Sequence, residues 1–318
     1  MNKTLLAVVL TLVVGPEARG QQRLPIIDMH LHAYGAAEWN SQPPNPVTGK
    51  PAPATAEEHM RACLELMDLY NIVLATVSGP LEAVEAWRAA SATRVWASPL
   101  FGRPGFDYYD RPLPGLESLR TMYRERKLRA MAEITAQYEG LSASDSSLEP
   151  YFALAEQLDV PVGIHTGTSF PGTPYSGKPK FRLALGNPLM LEDLLVRHPK
   201  LRVYIAHGGA PWTRETVELM GMYPQVYLDV SVIDWIGGPQ GIPRFHQFLQ
   251  EMLAARLGRR IMFGTDQMRW PESIGMAIEA VESAGSLTTE QKRDILYQNA
   301  ARFLRLSDEE IARHHGRD

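Results

Sequence analysis

The chain contains a single cysteine, Cys63, among its 318 residues. One thiol permits no disulfide within the chain and excludes a zinc site built from several thiolates. Basic residues are not in excess either, because 32 Lys and Arg against 36 Asp and Glu give a formal net charge of −4. The sequence therefore has no electrostatic signature of nucleic-acid binding. Any metal site must be built from histidines and carboxylates.

The chain also lacks a continuous apolar run of the roughly 20 residues that a transmembrane helix needs. The apolar stretch at residues 5–14 is about half that length. A lysine precedes it, a Gly-Pro pair ends it, and small residues follow. This pattern is typical of a secretory signal peptide. We expect residues 1–20 to be removed, leaving an exported chain near Gln21 in the periplasm or medium, with no stable membrane anchor.

No G-x-G-x-x-G follows the first predicted strand, which argues against a dinucleotide-binding sheet. Eight apolar, strand-like runs alternate with helical patterns instead. Such alternation predicts parallel strands with helical crossovers, and eight units predict one (β/α)₈ TIM barrel over residues 21–318. An open doubly wound sheet is the alternative. The runs are residues 24–28, 71–77, 94–98, 128–134, 160–165, 201–207, 225–231 and 259–266.

Polar, metal-competent side chains stand at the ends of four of these runs. His30 and His32 stand two residues apart where the first strand ends, so both point to one side of an extended chain. His165, His207 and Asp266 end the fifth, sixth and eighth runs. Because strand ends converge on one rim of a barrel, we expect these side chains to meet. Asp28 has the same parity as the first two histidines, and we expect it to orient one of their rings.

This pattern resembles the amidohydrolase superfamily. The matching features are D-x-H-x-H in the first strand, a strand-five His, a strand-six His followed by Gly-Gly, and a strand-eight Gly-Thr-Asp. Residues 187–209 and 299–304 resemble the amidohydrolase-related group, which includes aminocarboxymuconate-semialdehyde decarboxylase and several lactone or ester hydrolases. The resemblance covers roughly residues 24–306, and it implies a TIM barrel with a metal-dependent reaction.

Residue by residue, the resemblance implies that His30, His32, His165 and Asp266 bind the principal metal. His207 would either bind a second metal or act as an acid/base group beside the substrate. Asp266 would also accept a proton from the attacking water. A divalent metal polarises a carbonyl and lowers the pKa of bound water toward about 7. We expect one or two ions, with zinc first, while manganese and iron accept the same nitrogen and oxygen ligands.

Glu133 lies in the fourth predicted strand, where a carboxylate needs a partner because an unpaired buried charge is costly. Its Ala-Glu-Ile context resembles the Gly-Glu-Ile of TatD-type hydrolases and the bridging Glu of some phosphotriesterase-like enzymes. It would then bind metal. The alternative is that Glu133 pairs with an arginine in the barrel mouth or orients a ligand histidine. The decarboxylases of the group generally lack a glutamate here, so Glu133 favours hydrolysis.

We therefore expect a metal-dependent hydrolase that cleaves an ester, lactone or amide bond in a small-molecule substrate. The alternative is a metal-dependent, non-oxidative decarboxylase of an aromatic or dienoic acid. A non-catalytic binding protein on the same barrel is a third hypothesis, and the intact ligand set argues against it. A homodimer is the commonest symmetric assembly of soluble proteins, and nothing in the sequence decides for or against one.

Other residues are weaker candidates. Those expected near the pocket are Tyr34, Trp39, Asp234 and Trp235. Three cationic residues in the loop after the fifth strand would hold an anionic substrate group or else face solvent, namely Lys178, Lys180 and Arg182. His59 stands beside two glutamates in the helix predicted over residues 55–70, and we expect it on the surface.

Overall fold

The computed structural model describes residues 23–40 and 42–316. The predicted signal peptide, residues 1–20, lies outside the described residues. Within them, eight strands pair in parallel, as the apolar runs predict. The strands are β1 (Ile26–His32), β2 (Ile72–Gly79), β3 (Val95–Pro99), β4 (Met131–Ile134), β5 (Val162–Ile164), β6 (Val203–Ile205), β7 (Val226–Asp229) and β8 (Ile261–Met262).

Each strand is followed by a helix, which completes the eight predicted units. These helices are α1 (Ala56–Tyr70), α2 (Leu81–Ala90), α3 (Leu116–Arg124), α4 (Glu149–Leu158), α5 (Glu192–Arg197), α6 (Thr213–Met222), α7 (Gly238–Ala254) and α8 (Ser273–Glu282). The chain then continues through α9 (Thr289–Arg293), a π-helical turn (Asp294–Gln298), α10 (Asn299–Leu304) and α11 (Asp308–His314). In the described part of the chain, none of the helices combines the length and apolar character of a bilayer-spanning segment.

The strands are ordered around the barrel as they are in the chain. Hydrogen-bonded pairing is continuous from β1 to β3 and from β4 to β8. Main-chain hydrogen bonds also cross both gaps. The amide of Phe101 donates to the carbonyl of Glu133 (3.3 Å) between β3 and β4, and that of Asp266 donates to the carbonyl of His30 (2.7 Å) between β8 and β1. The eight units therefore close into a (β/α)₈ TIM barrel.

The interior of the barrel is filled with side chains. Val203 and Ile205 of β6 belong to the apolar core that the helices cover, whereas Tyr204 between them joins Met29 in a second cluster. The Tyr204 hydroxyl donates to the Met29 carbonyl at 3.2 Å. Because β1 and β6 are not neighbouring strands, this contact crosses the interior. The packed interior leaves the carboxyl ends of the strands as the place for a site.

Helix α1 shows one wrong prediction. Thr55 caps its first turn, with the threonine Oγ1 accepting from the amide of Glu58 (3.1 Å). The fully buried positions are His59, Cys63 and Met67, which are spaced by four and share one face. His59 is 0% exposed, so its expected surface position is wrong. Of the adjacent glutamates, Glu57 is exposed and Glu58 is partly buried.

Candidate metal centre

Six buried side chains meet at the carboxyl end of the barrel, and they are the six that the sequence predicts. Each is at most 7% exposed. All but His30 line a cavity of about 230 Å³. They lie in β1 and β4 or one to four residues after the ends of β5, β6 and β8, so strand direction brings them together. The six are His30, His32, Glu133, His165, His207 and Asp266.

Glu133 lies between two pairs of histidines. Its Oε1 is 2.6 Å from Nδ1 of His165 and 3.2 Å from Nε2 of His207. Its Oε2 faces the other pair, 3.6 Å from Nε2 of His30 and 3.9 Å from Nε2 of His32. The two carboxylate oxygens therefore serve different imidazole pairs. Two triads of potential ligand residues therefore lie side by side and share Glu133. Within each triad, the ligand atoms lie within 4.8 Å of one another.

Asp266 completes the half of the centre that contains His32. Its Oδ1 lies 3.0 Å from Nε2 of His32, yet this oxygen is buried and accepts no hydrogen bond from any described residue. The residue has a left-handed backbone, with φ of 45°, a conformation that Asp tolerates better than most residues. The turn after β8 thus directs the carboxylate back over the barrel end.

Oxygen atoms from β2 and the end of β7 fix three of the imidazoles. Nδ1 of His30 donates to Oδ2 of Asp229 (3.0 Å), and Nδ1 of His207 donates to Oγ of Ser231 (2.9 Å). Ser231 in turn donates to Oδ1 of Asp229 (2.6 Å). Nδ1 of His32 hydrogen-bonds Oγ of Ser78 (2.9 Å). With Nδ1 occupied, each ring turns Nε2 toward the centre.

The charges at this centre depend on one another. Burial acts to raise the pKa of Glu133, but His165 and His30 outweigh it and hold that pKa well below its ordinary value. The same balance lowers the pKa of Asp229, where His30 opposes the effect of burial. Both groups are therefore carboxylates at neutral pH. A buried pair of anions among imidazoles is the environment in which a cation is stabilised.

The donor chemistry fits a divalent metal. Buried nitrogen and oxygen atoms meet at the centre, and three buried side-chain atoms of its residues have no hydrogen-bond partner among the described residues: His30 Nε2, His165 Nε2 and Asp266 Oδ1. Imidazole and carboxylate ligands suit zinc, manganese and iron. A third triad, His30 with His207 and Asp229, also lies within 4.8 Å. Asp229 is fully buried and does not line the cavity, whereas Glu133 does, so the two triads that share Glu133 are the better candidates.

Asp28 does not have the role that its parity predicts. Its carboxylate accepts from the amide of His30 (2.9 Å) and from the hydroxyl of Thr265 (2.8 Å). It therefore ties β1 to the chain after β8, while Asp229 holds the imidazole. Asp229 and Ser231 were not predicted as site residues. Their signal was present, because they stand two apart at the end of a predicted strand, as the two histidines of β1 do.

The structure places the weaker candidates at different distances from the cavity. Tyr34 and Lys178 line the cavity. Trp39 packs behind Tyr34 with ring centroids 5.3 Å apart. Asp234 and Trp235 are buried but are not part of the cavity wall, and Lys180 and Arg182 are exposed. The lining residues that the sequence did not predict include Tyr108, Tyr109, Tyr138 and Arg269.

A family model described as amidohydrolase matches residues 27–306. Protein fluG of Emericella nidulans is 27% identical over an alignment of 174 residues, which covers 49% of this chain. The chain spans only 19% of the length of fluG. The family match thus extends from β1 to the end of the barrel, whereas the similarity to fluG concerns about half of it.

Solved structures share the fold at low identity. A probable 2-pyrone-4,6-dicarboxylic acid hydrolase from Acinetobacter baumannii is 15% identical, with a TM-score of 0.62 over 88% of this chain and 99% of that one. A dihydroxybenzoic acid decarboxylase from Polaromonas, solved with bound manganese, is 15% identical, with a TM-score of 0.59 over 91% and 99%. One is described as a hydrolase and the other as a decarboxylase, so the shared fold does not select a reaction.

Proposed function

The chain belongs to the amidohydrolase family, and from this premise we propose that it is a metal-dependent hydrolase. Its substrate is a small molecule with an ester, lactone or amide bond. The observation that carries this proposal is Glu133, whose two carboxylate oxygens face different pairs of imidazoles. A carboxylate in that position suits a centre of two metal ions.

Six residues would hold the metals in this proposal. His30, His32 and Asp266 would bind one ion, His165 and His207 would bind the other, and Glu133 would be shared between them. When bound, the ions supply Lewis acidity toward a carbonyl and acidify a water. Zinc is the proposed metal, and manganese or iron fits the same donors.

The protein side chains divide the remaining work. Asp266 lines the cavity and retains a buried oxygen without a partner, so it is placed to accept a proton from the attacking water. The same carboxyl then donates that proton to the leaving group. His207 is held through Nδ1 by Ser231, and its Nε2 is directed at Glu133, which favours the role of ligand over that of acid.

The proposed reaction is tested with a panel of esters, lactones and amides in ¹⁸O-labelled water. We expect a hydrolysis product that contains ¹⁸O. Asp266→Asn should lower kcat by about 10²–10⁴-fold, the usual contribution of a general acid/base, with the fold intact. Full activity in a folded Asp266→Asn variant would contradict the mechanism. Release of carbon dioxide from an aromatic or dienoic acid, without ¹⁸O in the product, would contradict hydrolysis and establish the decarboxylase alternative.

We also propose that the protein is exported. The charged, apolar and small-residue segments at residues 1–20 support this proposal. Intact mass analysis of protein recovered from the periplasm or medium should give a chain beginning near Gln21. A chain that retains Met1 and fractionates with the cytoplasm would contradict export.

A further inference from the structure

A separate cavity of about 250 Å³ lies at the opposite end of the barrel from the metal centre. We call it the amino-end cavity, because part of its wall precedes three strands: Leu128 and Arg129 before β4, Val160 and Pro161 before β5, and Arg202 before β6. The carboxyl ends of α3, α4 and α10 contribute the other side. None of its lining residues lines the cavity at the metal centre, so a ligand bound here leaves the metal ligands untouched.

The charges that line the amino-end cavity do not balance. Four arginines stand against two carboxylates, an excess of two positive charges, although the whole chain has a formal net charge of −4. Leucines between them form an apolar floor, which reduces the screening of these charges by water. The charged residues are Arg126, Arg129, Arg202, Arg305, Asp159 and Glu310.

Asp159 neutralises only part of this charge. Its Oδ1 accepts from Nε of Arg202 at 2.8 Å, and its Oδ2 accepts from Nη1 of Arg305 at 2.7 Å. Nη1 of Arg202 also donates to the carbonyl of Phe303 at 2.7 Å, so the protein itself fixes this guanidinium. One carboxylate therefore serves two arginines and leaves one positive charge without an anion.

The other two arginines have weaker partners. The guanidinium carbon of Arg129 lies 3.7 Å from the centroid of the Trp96 ring, and its Nη2 is 3.7 Å from Oε1 of Glu310, beyond hydrogen-bond distance. The other oxygen of Glu310 is engaged by the amide of Ser307 at 2.8 Å. Arg126 is exposed, and no described carboxylate forms an ion pair with it. Stacking on Trp96 fixes the guanidinium plane of Arg129 without using its N–H groups.

The surroundings of Arg129 disfavour its charge. Burial lowers the pKa of Arg129 to about 10, and Arg126 acts in the same direction, while Glu310 opposes them. The guanidinium is still a cation at neutral pH, so the fold holds it next to a like charge and partly out of water. An anion between Arg126 and Arg129 would offset both effects.

We propose that the amino-end cavity binds a phosphate dianion, either free or as the terminal group of a small phosphate monoester. Arg126 and Arg129 supply the N–H donors that the protein leaves unused, and the planar guanidinium fork matches two phosphate oxygens. The excess of two positive charges matches the charge of about −2 that a phosphate monoester has at neutral pH. This inference is independent of the proposed function, because it involves no residue of the metal centre.

The test is calorimetric titration of the metal-loaded protein with inorganic phosphate, at an ionic strength held constant with sodium chloride. We expect Arg126→Met to weaken phosphate binding by about tenfold or more, the scale of a hydrogen bond to a charged group. Arg256→Met is the matched control. Both arginines are exposed, stand two residues after the end of a helix, and have left-handed backbones, with φ of 58° and 62°. Arg256 does not line the cavity.

Phosphate bound at the metal ions is distinguished in the same titrations, because Arg126→Met leaves that site intact. The binding that Arg126→Met weakens should persist in Glu133→Gln. Arg126→Lys keeps the charge and loses the fork, so we expect an intermediate affinity. Equal phosphate affinity in wild type and folded Arg126→Met, or an equal loss in Arg256→Met, would overturn the inference and leave the metal-dependent hydrolase standing.

Glycerol 3-phosphate, titrated in parallel, identifies the source of the phosphate group. If its binding is weakened by Arg126→Met to the same degree, the site accepts a phosphate monoester. If only inorganic phosphate binds in this way, the ligand is the free anion. If neither probe binds to the wild type in a manner that depends on Arg126, the amino-end cavity is not a phosphate site.

Discussion

Asp229 has two tasks at the scale of the single residue. Its Oδ2 accepts from the ring of His30, while its Oδ1 accepts from Ser231 and from the amide of His207 at 3.0 Å. One carboxylate thereby sets the orientation of two imidazoles that belong to different halves of the centre. Outer partners of this kind fix the tautomer of a ligand and raise its basicity.

Asp229→Asn tests this role. The amide keeps the size of the side chain but offers no second acceptor of comparable strength to His30 Nδ1. We expect metal affinity to fall by about 10–100-fold, measured by competition with a chelator of known affinity. Asp193→Asn, at an exposed position in the first turn of α5, is the control. Unchanged affinity in Asp229→Asn would show that the imidazoles are oriented without it.

His59 provides a pH-dependent contribution to stability. Burial lowers its pKa to about 3, against about 6.5 for an unfolded imidazole. Between these values the unfolded chain binds the extra proton, so the free energy of unfolding rises with pH. The stabilisation is complete above about pH 6.5 and is lost as the pH falls toward 3, by at most about 1.4 kcal/mol per pH unit.

The measurement is urea unfolding of wild type and His59→Gln at a series of pH values, both without metal. The glutamine does not titrate, so the difference between the two unfolding free energies should be constant above pH 7 and decrease as the pH falls below 6.5. A difference that is independent of pH from 7 to 4 would mean that His59 is protonated in the folded state or is not buried.

At the scale of the element, very short strands place the ligands. β5 and β6 have three residues each and β8 has two, so small shifts in their packing move the residues that follow. Gly163, in the middle of β5, shows how close this packing is. A Cβ at this position would overlap the ring of Tyr204 on the neighbouring strand, and His165 follows two residues later.

Gly163→Ala should therefore destabilise the protein by about 1–3 kcal/mol, the typical cost of overpacking a core. Gly221→Ala is the matched control, because Gly221 lies within α6 with open space around its Cβ position. That change should stabilise the protein by about 0.5–1 kcal/mol, since alanine is the better helix former. Equal effects of the two substitutions on urea unfolding would contradict the contact between β5 and β6.

The sequence predicts the eight units because buried parallel strands are apolar runs and the helices between them are periodic. It also predicts which six side chains meet, since strand direction brings strand ends together. His59 was misplaced because its neighbours in the chain are acidic, while burial depends on the face of the helix. Tyr108, Tyr138 and Arg269 were missed because they lie in loops or, for Tyr138, in a short 3-10 turn (Ala136–Glu139), whose course follows from tertiary contacts rather than from any periodicity.

At the scale of the whole molecule, residues of the metal centre bridge the two gaps in strand pairing, between β3 and β4 and between β8 and β1. Main-chain bonds of Glu133 link β3 to β4, and those of His30 and Asp266 link β1 to the chain after β8. Residues that close the barrel are therefore also residues of the centre. The apolar interior behind the centre then leaves one polar end, where Glu133 is shared by two triads of ligand atoms.

The metal content of the purified protein tests the shared role of Glu133 most directly. Elemental analysis of residues 21–318 is compared with that of Glu133→Gln and of Glu117→Gln, a control at an exposed position on α3. We expect a metal-to-protein ratio near two in the wild type and the control, and a clear fall in Glu133→Gln. A ratio near one that Glu133→Gln leaves unchanged would contradict a bridging Glu133, and with it the observation on which the hydrolase proposal rests.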